Sequence, residues 1–255
     1  MSISQNNYLV NNFYMRLAIA QAKKNLGNTK NNPSVGCVIA NKNSIISAGC
    51  TGINGTPHAE YIALKSSKIN LKDANMYVTL EPCTHFGKTP PCTNLIIKKK
   101  IKKVFFSIND PDIRVNNKCS IILKKNKIST IKGFCFNEIN FLYRSYIKSK
   151  KDILPFVTCK IAVSKDYYTI NKKKKWITNY FSRRRVHLLR SVHDCLISSY
   201  KTIKEDNSRF TCRIEGLENR SPSRIILDKN LLIPIKSKLF KESKKIKTII
   251  FFNKN

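Results

Sequence analysis

Residues 56–92 constrain this chain more than any other stretch. They include Thr56-Pro57-His58-Ala59-Glu60, then Thr79-Leu80-Glu81-Pro82-Cys83, and end on Pro90-Pro91-Cys92. One imidazole, two thiols and a carboxylate two residues after the imidazole make up the side-chain set of a zinc site that keeps one coordination position open for water. Singly these pieces are ordinary. His-x-Glu at a helix start is usually a solvated polar turn, and an unpaired Cys usually packs as a small hydrophobe. Together, with Pro directly before each Cys, they require a fold that brings three distant ligands to one point.

We assign His58, Cys83 and Cys92 as zinc ligands and Glu60 as the general base and acid. Zinc deaminases carry this order of residues, with the Glu moving protons instead of binding metal. The pattern predicts hydrolytic deamination, in which water adds to an amidine-like ring carbon and Glu60 relays its proton to the ring nitrogen and departing amine. A structural reading, in which the metal only clips the fold, would give bound zinc without ammonia release. The spacing between the thiols narrows the substrate. Nucleic-acid and nucleoside deaminases use Pro-Cys-x-x-Cys, whereas Cys83 and Cys92 enclose eight residues, among them His85, Gly87 and Lys88. Such a loop suits a phosphate; its alternative is a solvated loop.

Periodicity places these residues on elements. Residues 11–25 repeat Tyr14, Leu17, Ala18 and Ala22 at helical spacing. Residues 35–40 and 44–50, separated by the polar turn Asn41-Lys42-Asn43, predict a hairpin. His58 and Glu60 fall in the first turn of a helix, near unpaired amides and the positive end of its dipole. A strand over 76–80 delivers Cys83, and Cys92 opens another helix. Strands at 103–108 and 128–132 flank a helix at 119–125, which predicts a layered α/β domain closing near Lys150. Beyond the polar junction at 149–152, strands are expected at 156–163, 195–198, 224–227 and 247–252, with a helix over 179–192 capped by Asn179.

A length of 255 residues allows two modest domains or one large one. The formal charge of +33 raises nucleic acid as a partner. The Lys residues, however, run from end to end with abundant Asn and Ile, and no basic run is interleaved with aromatics as a stacking platform requires. The charge is read as compositional drift, and a nucleic-acid-binding deaminase stays the competing class. Nine scattered Cys without framework spacing, no basic start followed by an apolar run in residues 1–12, and no bilayer-length apolar stretch predict a reduced, cytoplasmic protein without a membrane partner.

His58-Ala59-Glu60 and the run from Glu81 to Cys92, preceded by Asn32-Pro33-Ser34-Val35-Gly36-Cys37, closely resemble the bifunctional riboflavin biosynthesis protein (RibD) family. In that family a deaminase is followed by an NADPH-dependent reductase. The resemblance implies a three-layer α/β/α cytidine-deaminase-like domain with a mixed sheet over residues 1–150. A partial dihydrofolate-reductase-like α/β domain over 151–255 would follow. It also implies a phosphorylated pyrimidine substrate, 2,5-diamino-6-(5-phosphoribosylamino)pyrimidin-4(3H)-one. Asn32, His85 and Lys88 match family residues that contact base or phosphate, and Asp110 lies in a stretch at the substrate edge. Asp112 stands where the family has Asn, and the glycines that normally follow are replaced around residues 116–119.

In the second half the resemblance places Trp176, Thr202 and Asp206 at the NADPH site, and Lys174, Arg190, Phe210 and Arg213 at the reductase substrate. Read without it, Trp176 is a core residue and the Arg residues a solvated face. An Asp-Gly turn of the family reads Asp166-Tyr167, and a Ser/Gly-rich loop reads Lys172-Lys173-Lys174-Lys175. The family's later Gly-rich segment has no counterpart before Asn255. The chain alone is therefore expected to lack strands of the reductase sheet and to bind NADPH weakly or not at all. Either a homo-oligomer or a separate chain would complete it, or the domain is a remnant.

Overall fold

A computed structural model describes residues 3–41, 44–87, 89–169 and 176–253. The chain divides into two units, Met1–Val157 and Thr158–Asn255, whereas the polar junction in the sequence places the boundary at 150.

Apolar residues in the first unit alternate along strands that are buried on both faces, and this alternation builds its layers. The elements run α1 (Ile3–Lys24), β1 (Gly36–Ala40), β2 (Ile45–Cys50), α2 (Ala59–Ser66), β3 (Asn75–Leu80), α3 (Cys92–Lys98), β4 (Lys103–Ile108), α4 (Lys118–Lys125), β5 (Ser129–Lys132), α5 (Phe136–Leu142) and α6 (Arg144–Lys151). The sheet order is β2-β1-β3-β4-β5. β1 is antiparallel to β2 and β3, whereas β3, β4 and β5 are parallel, so the sheet is mixed as expected. Val38, Ala40, Tyr77 and Phe105 pack on Tyr14, Met15 and Ala18 of α1. Their neighbours Cys37, Ile39, Met76, Val78, Val104 and Phe106 share the other cluster with Ala63 and Leu64 of α2, Ile96 of α3 and Leu123 of α4. Successive strand side chains point to opposite faces, so these two sets define the α/β/α layering. The hairpin turn at Lys42 and Asn43 lies outside the described residues.

Helix α1 starts eight residues before the periodic pattern does, because Tyr8, Leu9, Val10 and Phe13 in its first half are exposed and carry no apolar stripe. Apolar periodicity also misses α5 and α6. Both are short, and α6 ends on Lys148, Lys150 and Lys151 with none of its residues buried.

In the second unit α7 (Tyr180–Ser191), β6 (Cys195–Ser199), α8 (Tyr200–Asp206), β7 (Ser223–Leu227), α9 (Lys238–Lys241) and β8 (Thr248–Phe251) give a parallel sheet ordered β6-β7-β8. Ile203, Phe210, Ile226, Ile233 and Leu239 form its core. The side chain of Asn179 accepts the Ser182 N–H at 2.8 Å and caps α7 as expected. Arg224 is fully buried, and its guanidinium donates to the carbonyls of Arg209, Leu239 and Ile246 and to Thr248 Oγ1. These partners are what make burying the charge tolerable.

One expectation fails. Residues 156–163 form no strand, and Val157, Ile161 and Val163 are exposed. An apolar run becomes a strand only where a neighbour supplies ladder hydrogen bonds, and β6, β7 and β8 pair only with one another among the described residues.

Candidate metal centre and substrate cavity

His58 precedes α2 as its N-cap residue, and its carbonyl accepts the Ile62 N–H at 3.1 Å. That hydrogen bond belongs to the first helical turn, so helix formation itself aims the residue. Strand β2 holds this helix end close: a Cβ on Gly49 would lie 2.4 Å from the Ala59 carbonyl oxygen, and Ser47 Oγ donates to the Ala63 carbonyl at 2.7 Å. Cys83 follows the carboxyl end of β3, and Cys92 is the first residue of α3. Thr93 ties the two together, since its N–H and its Oγ1 both donate to the Cys83 carbonyl at 3.3 Å.

As a result His58 Nδ1 lies 3.5 Å from Cys83 Sγ and 3.4 Å from Cys92 Sγ, and all three ligand atoms fall within 4.8 Å of one another. Tetrahedral zinc with bonds of about 2.3 Å to sulfur and about 2.0–2.1 Å to nitrogen puts its donors roughly 3.5–3.8 Å apart. The three side chains fit that ion. Without metal the donor set shares its protons, which zinc would have to displace on binding. The Cys92 thiol and then the His58 ring, hydrogen-bonded to Cys83, lower its thiol to about 4. The Cys83 hydrogen bond in turn raises His58 to about 9. Cys92 is raised by its hydrogen bond to Cys83 and by burial, so the negative charge sits on Cys83. Glu60 is buried in the first turn of α2, and desolvation raises its carboxyl to about 7. An acid–base group works best when its pKa lies near the working pH.

His58, Glu60 and Cys83 open onto a cavity of about 470 Å³. Asn32, His58, Glu60, Cys83, His85 and Asp110 line it. Asn32 Nδ2 donates to the Gly55 carbonyl at 3.0 Å. Gly55 has φ +90°, and a Cβ there would stand 2.6 Å from that same nitrogen, so the position needs Gly to seat Asn32. The Nδ1 of His85 is buried without a protein hydrogen-bond partner. Asp110 Oδ1 accepts from the Asp112 N–H and the Tyr146 hydroxyl, both at 2.9 Å, and burial raises its carboxyl. Lys88 lies outside the described residues.

Sequence reasoning overlooked two groups here. Glu81, 2 % exposed, accepts the backbone N–H groups of Asp110, Asn117 and Cys119 at 3.1–3.2 Å. It thereby fixes the loops after β3 and β4 to the start of α4. A Glu immediately before Pro-Cys was its signal. Tyr146 and Lys150, which also line the cavity, come from α6. Their four-residue spacing puts them on one helical face, which could have been read had α6 been recognised.

In the second unit His187, Arg190, Thr211 and Arg213 come together. Arg190 Nη1 donates to the Thr211 carbonyl at 3.0 Å, His187 Nδ1 is 3.1 Å from that oxygen, and the Arg213 N–H donates to His187 Nδ1 at 3.2 Å. Arg190 Nε and Thr211 Oγ1 are buried with no partner. Phe210 is buried in the core of this unit. Trp176 is exposed beneath the Arg183 guanidinium, 4.8 Å from its ring centroid. Thr202 and Asp206 are carried by α8, and Lys174 lies outside the described residues.

A mixed sheet that delivers thiols to a helix-capping imidazole, with a buried Glu two residues on, defines the zinc-binding region of cytidine and deoxycytidylate deaminases, and the family model of that description matches residues 10–108. The RibD C-terminal domain matches residues 155–255, and the solved diaminohydroxyphosphoribosylaminopyrimidine deaminase/5-amino-6-(5-phosphoribosylamino)uracil reductase of Thermotoga maritima superposes with a TM-score of 0.88 at 32% identity, covering 98% of this chain and 71% of that one. The chain belongs to the riboflavin biosynthesis protein RibD family. RibD of Aquifex aeolicus is 37% identical over 228 residues, 89% of this chain and 64% of the relative. For RibD of Bacillus amyloliquefaciens the identity is 36% over 224 residues, 87% and 60%. The chain thus spans 60–64% of the length of these curated relatives.

Proposed function

We propose that the first unit catalyses hydrolytic deamination of the diaminohydroxyphosphoribosylaminopyrimidine of riboflavin biosynthesis, releasing ammonia and 5-amino-6-(5-phosphoribosylamino)uracil. One observation carries the reading: three ligand atoms lie within 4.8 Å of one another, and two of their residues, His58 and Cys83, line the same cavity as the buried Glu60. His58, Cys83 and Cys92 hold zinc, which when bound supplies Lewis acidity and lowers the pKa of water. Glu60 accepts one proton of the attacking water and passes it to the ring nitrogen, then carries the second, from the hydroxyl added to the ring carbon, to the departing amine, so that ammonia leaves and a carbonyl remains. Asn32, fixed by Gly55, and Asp110, fixed by Tyr146, orient the base, while His85, whose buried Nδ1 has no protein partner, is available to its phosphate-bearing end. Incubating the purified, zinc-loaded chain with this substrate, with and without NADPH, and measuring ammonia tests the reading. Ammonia independent of NADPH is the expected result.

A second reading concerns residues 158–255. The unpartnered Arg190 Nε and Thr211 Oγ1, beside His187 and Arg213, suit an anion, and we assign this cluster to the phosphate of a reductase substrate. The match to the RibD C-terminal domain supports NADPH as the cofactor of this unit, held weakly by residues 158–255 themselves. Its phosphates are held where glycines let backbone approach closely, and the only glycine between 158 and 255 is Gly216, which has no atom near its Cβ direction. Tight binding of NADPH would therefore draw on residues other than 158–255. Nine unpaired cysteines support residence in the reducing cytoplasm. Among the described residues no helix is long and apolar enough to cross a membrane.

A further inference from the structure

Asp112 puts a negative charge at the rim of a cavity whose proposed substrate is an anion, which ought to repel it. The surroundings reverse that effect. Asp112 Oδ1 accepts from Arg114 Nε at 2.9 Å and Oδ2 from Arg114 Nη2 at 2.7 Å. Lys150 Nζ of α6 donates to Oδ2 at 3.0 Å. Two cations on one carboxylate leave a net charge of about +1 at the rim.

Neither cation is used up. A guanidinium has five N–H donors and an ammonium three, so both retain free donors. The carboxylate is largely buried, whereas Arg114 is mostly exposed and Lys150 partly so. All three line the same cavity as Glu60. The cluster is also built in from several sides. Thr84, next to Cys83, donates to the Arg114 carbonyl at 3.5 Å, and the Lys118 ammonium donates to the Ile113 and Arg114 carbonyls. Tyr146, one turn before Lys150, has its ring 5.6 Å from the ammonium and its hydroxyl on Asp110.

We infer that Arg114 and Lys150, positioned by Asp112, form an anchor for the terminal phosphate monoester of the substrate, supplied in part by α6. The carboxylate locks both side chains before ligand arrives, so less rotamer entropy is lost when phosphate binds. The inference rests on the deaminase reading for the identity of the substrate, but its charge recognition can be measured without turnover.

Calorimetric titration of the zinc-loaded chain with ribose 5-phosphate and with ribose, alongside ammonia-release kinetics on the phosphorylated substrate and its dephosphorylated form, tests it. Lys150→Ala and Arg114→Ala should each weaken ribose 5-phosphate binding and raise KM for the phosphorylated substrate about 10-fold. The kcat should stay within about twofold, KM for the dephosphorylated form should not change, and Lys150→Arg should restore binding. Unchanged ribose 5-phosphate affinity in both alanine variants overturns the anchor. So does an equal KM increase for both substrates. A wild-type chain that binds ribose 5-phosphate through Lys150 but releases no ammonia would overturn the deaminase reading and leave the anchor standing. No ribose 5-phosphate binding by the wild type, with equal KM for both substrates, overturns the anchor alone.

Discussion

The backbone N–H of Cys92 donates to Cys83 Sγ across 3.3 Å, so the first residue of α3 both contributes one thiol and holds the other. The two sulfurs are therefore not independent ligands. Cys83→Ser and Cys92→Ser should each reduce zinc from about one ion per chain to a small fraction after dialysis. Metal analysis on the folded variants checks this, and full zinc occupancy in either would remove that residue from the ligand set.

Glu60 is not needed to hold the metal on this geometry. Glu60→Gln should retain zinc while ammonia release falls by about 10²–10⁴-fold, the range for losing a general acid–base group. Kinetics and metal content measured on one preparation decide it; an active, zinc-replete variant would assign proton transfer elsewhere.

Glu81 carries a different load, since its carboxylate accepts three backbone N–H groups. Truncation in Glu81→Ala strands three backbone donors, two of them buried, and should cost about 2–5 kcal/mol of stability in the first unit. Glu81→Gln, which keeps an acceptor, should lose less. Urea unfolding gives both numbers, and an alanine variant as stable as wild type would contradict the anchoring role.

Asp112 links stability to acid. The Arg114 hydrogen bond, and after it Lys150, holds its carboxyl well below the ordinary 3.8. Above that value the group is ionised whether folded or not, and the ion pairs contribute fully. As pH falls below about 4 the unfolded chain takes up the proton first, so stability is lost toward acid. The urea midpoint of Asp112→Asn should therefore depend less on pH below about 4 than that of wild type. Parallel curves would exclude the linkage.

The second unit should bind NADPH weakly at best, with a Kd above the micromolar range, because residues 158–255 hold one glycine and no phosphate cradle. Fluorescence titration of the chain as it stands reads this directly. A micromolar Kd would show that the cradle is made another way.

Much of the site is legible in residue type and spacing alone. These identify His58, Glu60, Cys83 and Cys92, and the helix starts that carry His58 and Cys92 follow from apolar periodicity. Less visible is what stands behind them. Nothing local in Glu81 announces that its partners lie 29, 36 and 38 residues further on. Tyr146 and Lys150 stay hidden because α6 is short, basic and without a buried stripe.

The sequence by itself determined the chemistry: which atoms can bind metal, which carboxyl can move a proton, and which strands alternate between two faces. Those properties belong to residue types and to short-range periodicity. Tertiary structure alone decided that the apolar run at 156–163 pairs with no strand among the described residues, that Phe210 turns into a core, and that Asp112 meets Arg114 and Lys150. Strand pairing, burial and charge neutralisation each need a partner, and where that partner lies along the chain is fixed only when the chain has folded.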